Sequence, residues 1–374
     1  MRVGVIGGGQ LARMMVPPAV ELGVEIAVLA EVPDSSASIA ATAVGDYRDA
    51  ATVLDFAATV DVVTFDHEHV PQDVLAALVA AGHRVHPGPA ALAVAQDKLL
   101  MRERLSSLGM PVPAWAAVGS VTELDAFLAD HQGRAVVKTP RGGYDGKGVR
   151  VVSSSSEVAD WFGSGPLLAE ELVGFQRELA QLVARRPSGE VRAWDVVETV
   201  QLDGVCAEVL APAPRIGTRL AVLARDVAET IATELGVTGV LAVELFETSD
   251  DRVLINELAM RPHNSGHWSI DGAVTSQFEQ HLRAVLDLPL GDPSRTAPWS
   301  VMINILGGPS TGSLADRYPA ALADQPSVKV HAYGKDPRPG RKVGHVTATS
   351  DELEDAAFRA RAAAAFFKDA DLSS

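Results

Sequence analysis

Lys138-Thr-Pro-Arg-Gly142-Gly143-Tyr144-Asp145-Gly146-Lys147-Gly148-Val149 is the stretch on which the reading of the fold turns. Four glycines fall within seven positions, between apolar runs that predict strands over 135–138 and 149–153. Two lysines bracket them. Glycine amides on a flexible flap can close over phosphate oxygens while Lys138 and Lys147 neutralise their charge. The G-K-[ST] ending of a Walker loop is missing, and a strand rather than a helix follows. The structural alternative is a glycine-rich hairpin tip, which leaves Tyr144 and the paired lysines without a purpose.

Working outward toward the C-terminus, a strand over 167–171 completes an α+β module opened by Pro111 and Pro113. A hairpin then follows: Val240-Leu-Ala-Val-Glu244-Leu-Phe246, a Ser249-Asp250-Asp251 turn, and Val253-Leu-Ile-Asn256-Glu257-Leu258. Centring the turn between Asp250 and Asp251 puts Glu244 opposite Glu257. Like charges facing across a ladder are destabilising unless something positive lies between them. Paired carboxylates suit magnesium, which takes one or two of them together with substrate phosphates. Strand alternation places Asn256 on the other face, so a metal role for it requires a bulge. Directly downstream, Arg261-Pro-His263-Asn264-Ser265-Gly266-His267-Trp268 concentrates hydrogen-bonding groups in a turn. Two histidines leave zinc open as a reading, but no third ligand is evident, and contact with a substrate is preferred.

Toward the N-terminus, strand and helix alternate over the first 97 residues: a strand over 2–6, a glycine turn at 7–9, a helix to Leu22, a strand over 24–30, and further strands near 61–65 and 83–86. This predicts a doubly wound, Rossmann-like unit. Pro17-Pro18 is expected to kink or end the first helix. Gly7-Gly8-Gly9-Gln10-Leu11-Ala12 fits G-x-G-x-x-A, with Glu31 closing the second strand, a pattern compatible with a dinucleotide but equally with any tight turn whose helix meets phosphate or substrate. Asp66-His67-Glu68-His69 follows a strand at the usual ligand-binding end of such a sheet. Gly88-Pro89 marks a boundary, after which a helix carries Leu99, Leu100 and Leu105 on one side. From residue 288 a β-rich C-terminal unit is expected, ending in a helix that starts with the capping-box pattern Thr349-Ser-Asp-Glu352. Within it, Lys335-Asp-Pro-Arg338-Pro-Gly-Arg341-Lys342-Val-Gly-His345 reads as a phosphate clamp or a solvated basic turn.

Composition narrows the classes. The net charge is −16 with no basic stripe, which argues against nucleic acid. Against 25 arginines there are seven lysines, and five of these, Lys98, Lys138, Lys147, Lys335 and Lys342, lie in the motifs. No run approaches the roughly 18 apolar residues of a membrane helix. An export signal is not evident either, and the single Cys206 fits a reducing, cytoplasmic setting.

Taken together, these motifs resemble the ATP-grasp superfamily, and within it the 5-(carboxyamino)imidazole ribonucleotide synthases of purine biosynthesis. The likeness is carried by Gly-Gly-Gly-Gln-Leu near the start, Arg-Gly-Gly-Tyr-Asp-Gly-Lys-Gly in the flap, Ile-Asn-Glu-Leu-Ala-Met-Arg-Pro-His-Asn-Ser-Gly-His-Trp, and Arg-Pro-Gly-Arg-Lys-Val-Gly-His. The resemblance implies a Rossmann-like domain over 1–97, an ATP-grasp domain over 98–287 with its lid module at about 112–172, and a small β-rich C-terminal domain over 288–374. It implies ATP contacts from Lys98, Lys138, Gly143, Tyr144, Asp145, Gly146, Lys147, Gly148, Val149, Glu170, Glu171, Leu172, Val173, Glu178 and Glu198, with Glu244, Asn256 and Glu257 holding magnesium. Contacts to aminoimidazole ribonucleotide fall on Gln10, Leu11, Glu68, Tyr144, Asn264, Lys335, Arg341 and Lys342. Lys138, Tyr144, Asp145 and Arg261 are the catalytic candidates. The implied reaction joins bicarbonate to the ribonucleotide amine through carboxyphosphate, in a cytoplasmic homodimer. A formate-using transformylase of the same superfamily and, in another class, an NAD-dependent oxidoreductase are the competing readings. A non-enzymatic nucleotide sensor would have no use for an acceptor pocket.

Overall fold

The computed structural model describes residues 1–40, 42–143, 148–163 and 165–368. Among these residues there are three sheets. The first is parallel, with Arg2–Ile6 between Glu25–Ala30 and Val62–Phe65 and with Thr42–Val44 at the outer edge. Its strands are apolar on both faces because helices cover both, as parallel strands require. The expected strand near 83–86 is reduced to a single bridge from Val85 to Val63. Pro87 and Pro89 withhold backbone donors there, and the chain turns into helix Pro89–Gln96.

Helix Gln10–Leu22 runs through Pro17 and Pro18 without the expected break. Leu11, Ala12, Met14, Met15 and Ala19 are buried along it, so tertiary packing outweighs the donors lost at the two rings.

The lid sheet is antiparallel, in the order Trp115–Val118, Leu167–Glu171, Ala135–Lys138, Val149–Val152. A larger antiparallel sheet carries Val253–Ala259, Gly239–Thr248, Phe175–Arg185, Val197–Leu202, Val205–Ala211, Trp299–Leu306, Lys342–Ser350 and Lys329–Ala332 in that order. The C-terminal strands thus extend the central sheet instead of forming a sheet of their own. Leu179, Val183, Leu241, Val243 and Leu245 pack on one face against Ala224, Val227, Ala228 and Ile231 of helix Thr218–Glu234. On the other face Ala180, Leu182, Val240 and Ala242 pack against Trp268 and Ala284, while Glu178, Glu244 and Phe246 line a cleft beneath the lid.

At the C-terminus the expected capping box does not form. Thr349 and Ser350 are still in strand Lys342–Ser350, where they pair with Ser300 and Trp299, and the helix begins at Leu353 with no side-chain cap bond from Glu352. Ladder pairing has taken the residues that a cap needed.

Candidate active site

A cleft of about 910 Å³ lies between the lid sheet, the exposed face of the central sheet and the loop after strand Val62–Phe65. Lys98, Lys138, Gly143, Glu170, Glu178, Glu244, Asn256, Glu257, Arg261, Asn264 and Lys342 all border it. Motifs spread over 250 residues of sequence therefore meet in one place.

The hairpin sets the floor. Glu247, Phe246 and Leu245 pair with Val253, Leu254 and Ile255, after which the ladder skips Asn256 and Glu244 meets Glu257. The turn is centred on Asp250, one half-step from its expected place, and the bulge at Asn256 restores the facing carboxylates. Without that extra residue the two-residue period would put Glu257 beside Ile255 on the core face. Burial, reinforced by the charges of Glu257 and Glu178, pushes the Glu244 carboxyl up to about 8, while Lys342 and Arg261 pull the other way. His263 Nε2 lies 3.6 Å from Glu244 Oε1. Burial and the charges of Arg261 and Lys342 push that imidazole down to about 3, so it stands beside Glu244 as a neutral ring.

Two lysines overhang the floor. Lys98 Nζ is 3.3 Å from Glu257 Oε1 and donates to the Gly143 carbonyl at 3.1 Å, tying the root of the flap to the hairpin. Lys138 Nζ reaches Glu170 Oε2 at 2.7 Å and Asn256 Oδ1 at 3.2 Å. Glu170 also accepts from Arg102 Nε. Burial works to raise the Glu170 carboxyl, but Lys138 and Arg102 outweigh it and hold it below the ordinary value. The Glu170 side chain is thus committed within the protein, and what this strand end offers the cleft is the segment Glu171-Leu172-Val173 leading out of the lid. Phe175 and Phe246 stack beside it with ring centroids 4.6 Å apart, an apolar wall that no motif signalled.

Also bordering the cleft, Arg261 Nε meets Glu68 Oε2 at 2.8 Å. Asn264 borders the cleft, but its amide is paired with Asn304 in both directions, at 2.6 and 3.1 Å. Gln10 and Lys335, bonded to each other at 2.5 Å, and the buried Leu11 do not border the cleft. Lys342 reaches the cleft, whereas Arg341 donates to the Asp336 carbonyl within its own turn. Glu198 stands apart. It pairs across the ladder with Leu179, so alternation turns it to the face opposite Glu178, where it binds Arg177 at 2.8 Å. That side chain does not reach the cleft as the resemblance implied. Tyr144, Asp145, Gly146 and Lys147 lie outside the described residues.

His267 is fully buried against Gln277, and among the described residues no three His, Cys, Asp or Glu side chains group as a metal site. The glycine turn at 7–9 also has an internal explanation. Asp66 Oδ1 accepts the Ala12 amide at 2.9 Å, so a carboxylate already occupies the start of the helix where a dinucleotide phosphate would sit. A Cβ on Gly9 would fall 1.9 Å from Asp66 Oδ2, and one on Gly8 would meet Ser35 at 2.7 Å. Glu31, which closes the second strand of that pattern, pairs with Arg48.

Family models match along the chain: a ribonucleotide synthetase preATP-grasp domain over residues 1–96, an ATP-grasp domain over 103–278, and a phosphoribosylaminoimidazole carboxylase C-terminal domain over 300–359. The N5-carboxyaminoimidazole ribonucleotide synthase of Mycobacterium tuberculosis is 49% identical over 371 residues, covering 97% of this chain and 86% of that protein. The chain belongs to the N5-carboxyaminoimidazole ribonucleotide synthase family. The enzyme of the same name from Corynebacterium ammoniagenes is 50% identical over 380 residues, covering 98% and 92%. Among solved structures, an N5-carboxyaminoimidazole ribonucleotide synthetase as its ADP complex superposes with a TM-score of 0.90 at 34% identity, covering 97% of this chain and 96% of that one. The Aspergillus clavatus family member in complex with ADP and 5-aminoimidazole ribonucleotide has a TM-score of 0.88 at 31% identity, covering 98% of each chain.

Proposed function

We infer that this chain is a C–N bond-forming ligase that uses ATP to carboxylate 5-aminoimidazole ribonucleotide to its N5-carboxyamino form, releasing ADP and phosphate in purine biosynthesis. The observation that carries the reading is the cleft itself, which brings the facing Glu244 and Glu257 together with Lys98, Lys138, Arg261, Glu68 and Lys342. The lysines suit a polyphosphate, and Arg261 with Glu68 suits an acceptor.

Magnesium fits the floor. Two carboxylates are turned to the same face with the bulged Asn256 amide beside them, a set of oxygen donors that suits magnesium. Glu244, Glu257 and Asn256 would hold the ion, and when bound it would neutralise phosphate charge. Lys98 and Lys138 change partners from Glu257 and Glu170 toward phosphate oxygens. Bicarbonate is the acid in this proposal: its oxygen attacks the γ-phosphorus and ADP leaves, the resulting carboxyphosphate breaks its C–O bond to release phosphate and carbon dioxide, and the exocyclic amine captures the carbon dioxide, losing a proton as the C–N bond forms. Arg261, fixed by Glu68, offers its remaining N–H groups to the anionic carboxyl donor. Gly143 and Val149, which border the cleft, offer backbone groups to the phosphates. Phe175, Phe246 and Leu172 give the base of the nucleotide an apolar seat. Gln10, Leu11, Glu68, Asn264, Lys335, Arg341 and Lys342 receive the ribonucleotide, and the enzyme works as a cytoplasmic homodimer. Carbon-13 NMR separates the proposed acid from its rival: labelled bicarbonate is expected to appear in a carbamate of the product, and incorporation of labelled formate instead would establish the transformylase.

A further inference from the structure

We propose that Arg102 is a positioning residue for the phosphate-binding part of the cleft, a reading that rests on the ATP-dependent function above. It lies on helix Lys98–Ser107, whose buried face is Lys98, Met101, Arg102 and Leu105 instead of the leucine stripe the sequence suggested. Arg102 is fully buried and does not itself border the cleft. Its Nε donates to Glu170 Oε1, and its Nη2 donates to the carbonyl of Asn256 at 2.7 Å. Lys138 grips the same two residues from the other side, at Glu170 Oε2 and Asn256 Oδ1. Four residues from a helix, two lid strands and the hairpin bulge therefore close a ring.

Two consequences follow from the charges and the bonds. Glu170 is only 3% exposed, and a buried carboxylate with Lys138 as its sole partner would leave that pair neutral. With Arg102 sharing the carboxylate, the ring carries a net positive charge, and Lys138 is the member that faces the cleft. The Asn256 carbonyl is at the skipped position of the ladder. Arg102 satisfies it, which fixes the bulge that turns Glu257 toward Glu244.

The test uses the full-length enzyme, with ATP affinity read by calorimetry and turnover by phosphate release. Arg102→Met is expected to weaken ATP binding roughly tenfold or more, the scale of one lost contact involving a charged group. Adding Glu170→Gln to it restores the charge on Lys138, so the double variant is expected to recover ATP affinity to within about threefold of wild type while turnover stays low, because the bulge is still unsupported. Arg102→Lys keeps the charge but not the fork, and is expected to behave like the double variant. KM for the ribonucleotide stays unchanged in all three. An Arg102→Met enzyme that binds ATP like wild type, or a folded double variant that binds no better than Arg102→Met, overturns the proposal. Where Arg102→Met does not fold, the double variant decides alone: near-wild-type ATP affinity supports the charge account and a tenfold loss refutes it. Wild-type protein that fails to bind ATP at all would instead remove the functional reading beneath.

Discussion

Glu244 is the residue at which stability and function pull apart. Its carboxyl rises to about 8 in the folded chain from an ordinary value of 4.5. A raised carboxyl favours the folded state below pH 4.5 and loses that advantage as pH climbs from 4.5 toward 8. At neutral pH and without magnesium, Glu244→Gln is therefore expected to raise Tm, while abolishing ATP hydrolysis; a lowered Tm would contradict the burial account, and an active variant the metal account. Glu257→Ala is expected to eliminate ATP hydrolysis as well, measured as phosphate release, and full activity would end the metal assignment. Both glutamates were legible in the sequence because a short turn fixes which residues face each other. Arg102 was not, and Asp66 was legible only as part of a loop at the ligand-binding end of the sheet, not as the acceptor at the start of helix Gln10–Leu22. Each is a polar side chain whose partner is far away in sequence, and the only trace of Arg102 was a charge four residues after Lys98 on the inner side of a helix.

At the scale of elements, the hairpin shows how a right answer can conceal a missed device. The facing of Glu244 and Glu257 followed from a regular hairpin centred between Asp250 and Asp251, but the chain reaches it with a shifted turn and a compensating bulge at Asn256. A one-residue insertion leaves no period to read. Helix Gln10–Leu22 and the abandoned cap at Thr349 failed for the opposite reason, since local signals were clear and tertiary packing or ladder pairing overrode them. The glycine turn that opens the helix was legible as a turn, and its need for glycine is steric. Gly9→Ala would drive a Cβ into Asp66, which holds the helix start. That variant is expected to lose several degrees of Tm and to raise KM for the ribonucleotide more than KM for ATP, as steady-state kinetics with each substrate varied would show; equal effects on both would place the turn's role elsewhere.

Over the whole molecule, the N-terminal sheet is pinned to the central sheet by His281. Its Nδ1 accepts the Val240 amide at 3.1 Å, so its Nε2 carries the proton donated to Thr64 Oγ1 at 2.8 Å. Burial, with a smaller push from His86, lowers this imidazole from 6.5 to about 3. A depressed histidine stabilises the fold fully above pH 6.5, and that contribution is lost as pH falls from 6.5 toward 3. His263 and His67, lowered by burial to about 3 and about 4, act in the same direction. Tm is accordingly expected to fall on acidification through this window, and a His281→Gln variant should show a shallower acid limb; an unchanged slope would deny His281 its role. The doubly wound first unit, the lid and the hairpin were readable from periodicity and glycine placement. The continuity of the C-terminal strands with the central sheet was not, because strand partners far apart in sequence leave no local mark. The measurement closest to the central claim is phosphate release from ATP in the presence of bicarbonate, with and without 5-aminoimidazole ribonucleotide. Release that depends on the ribonucleotide is the expected result, and release that proceeds equally without it would contradict the assignment.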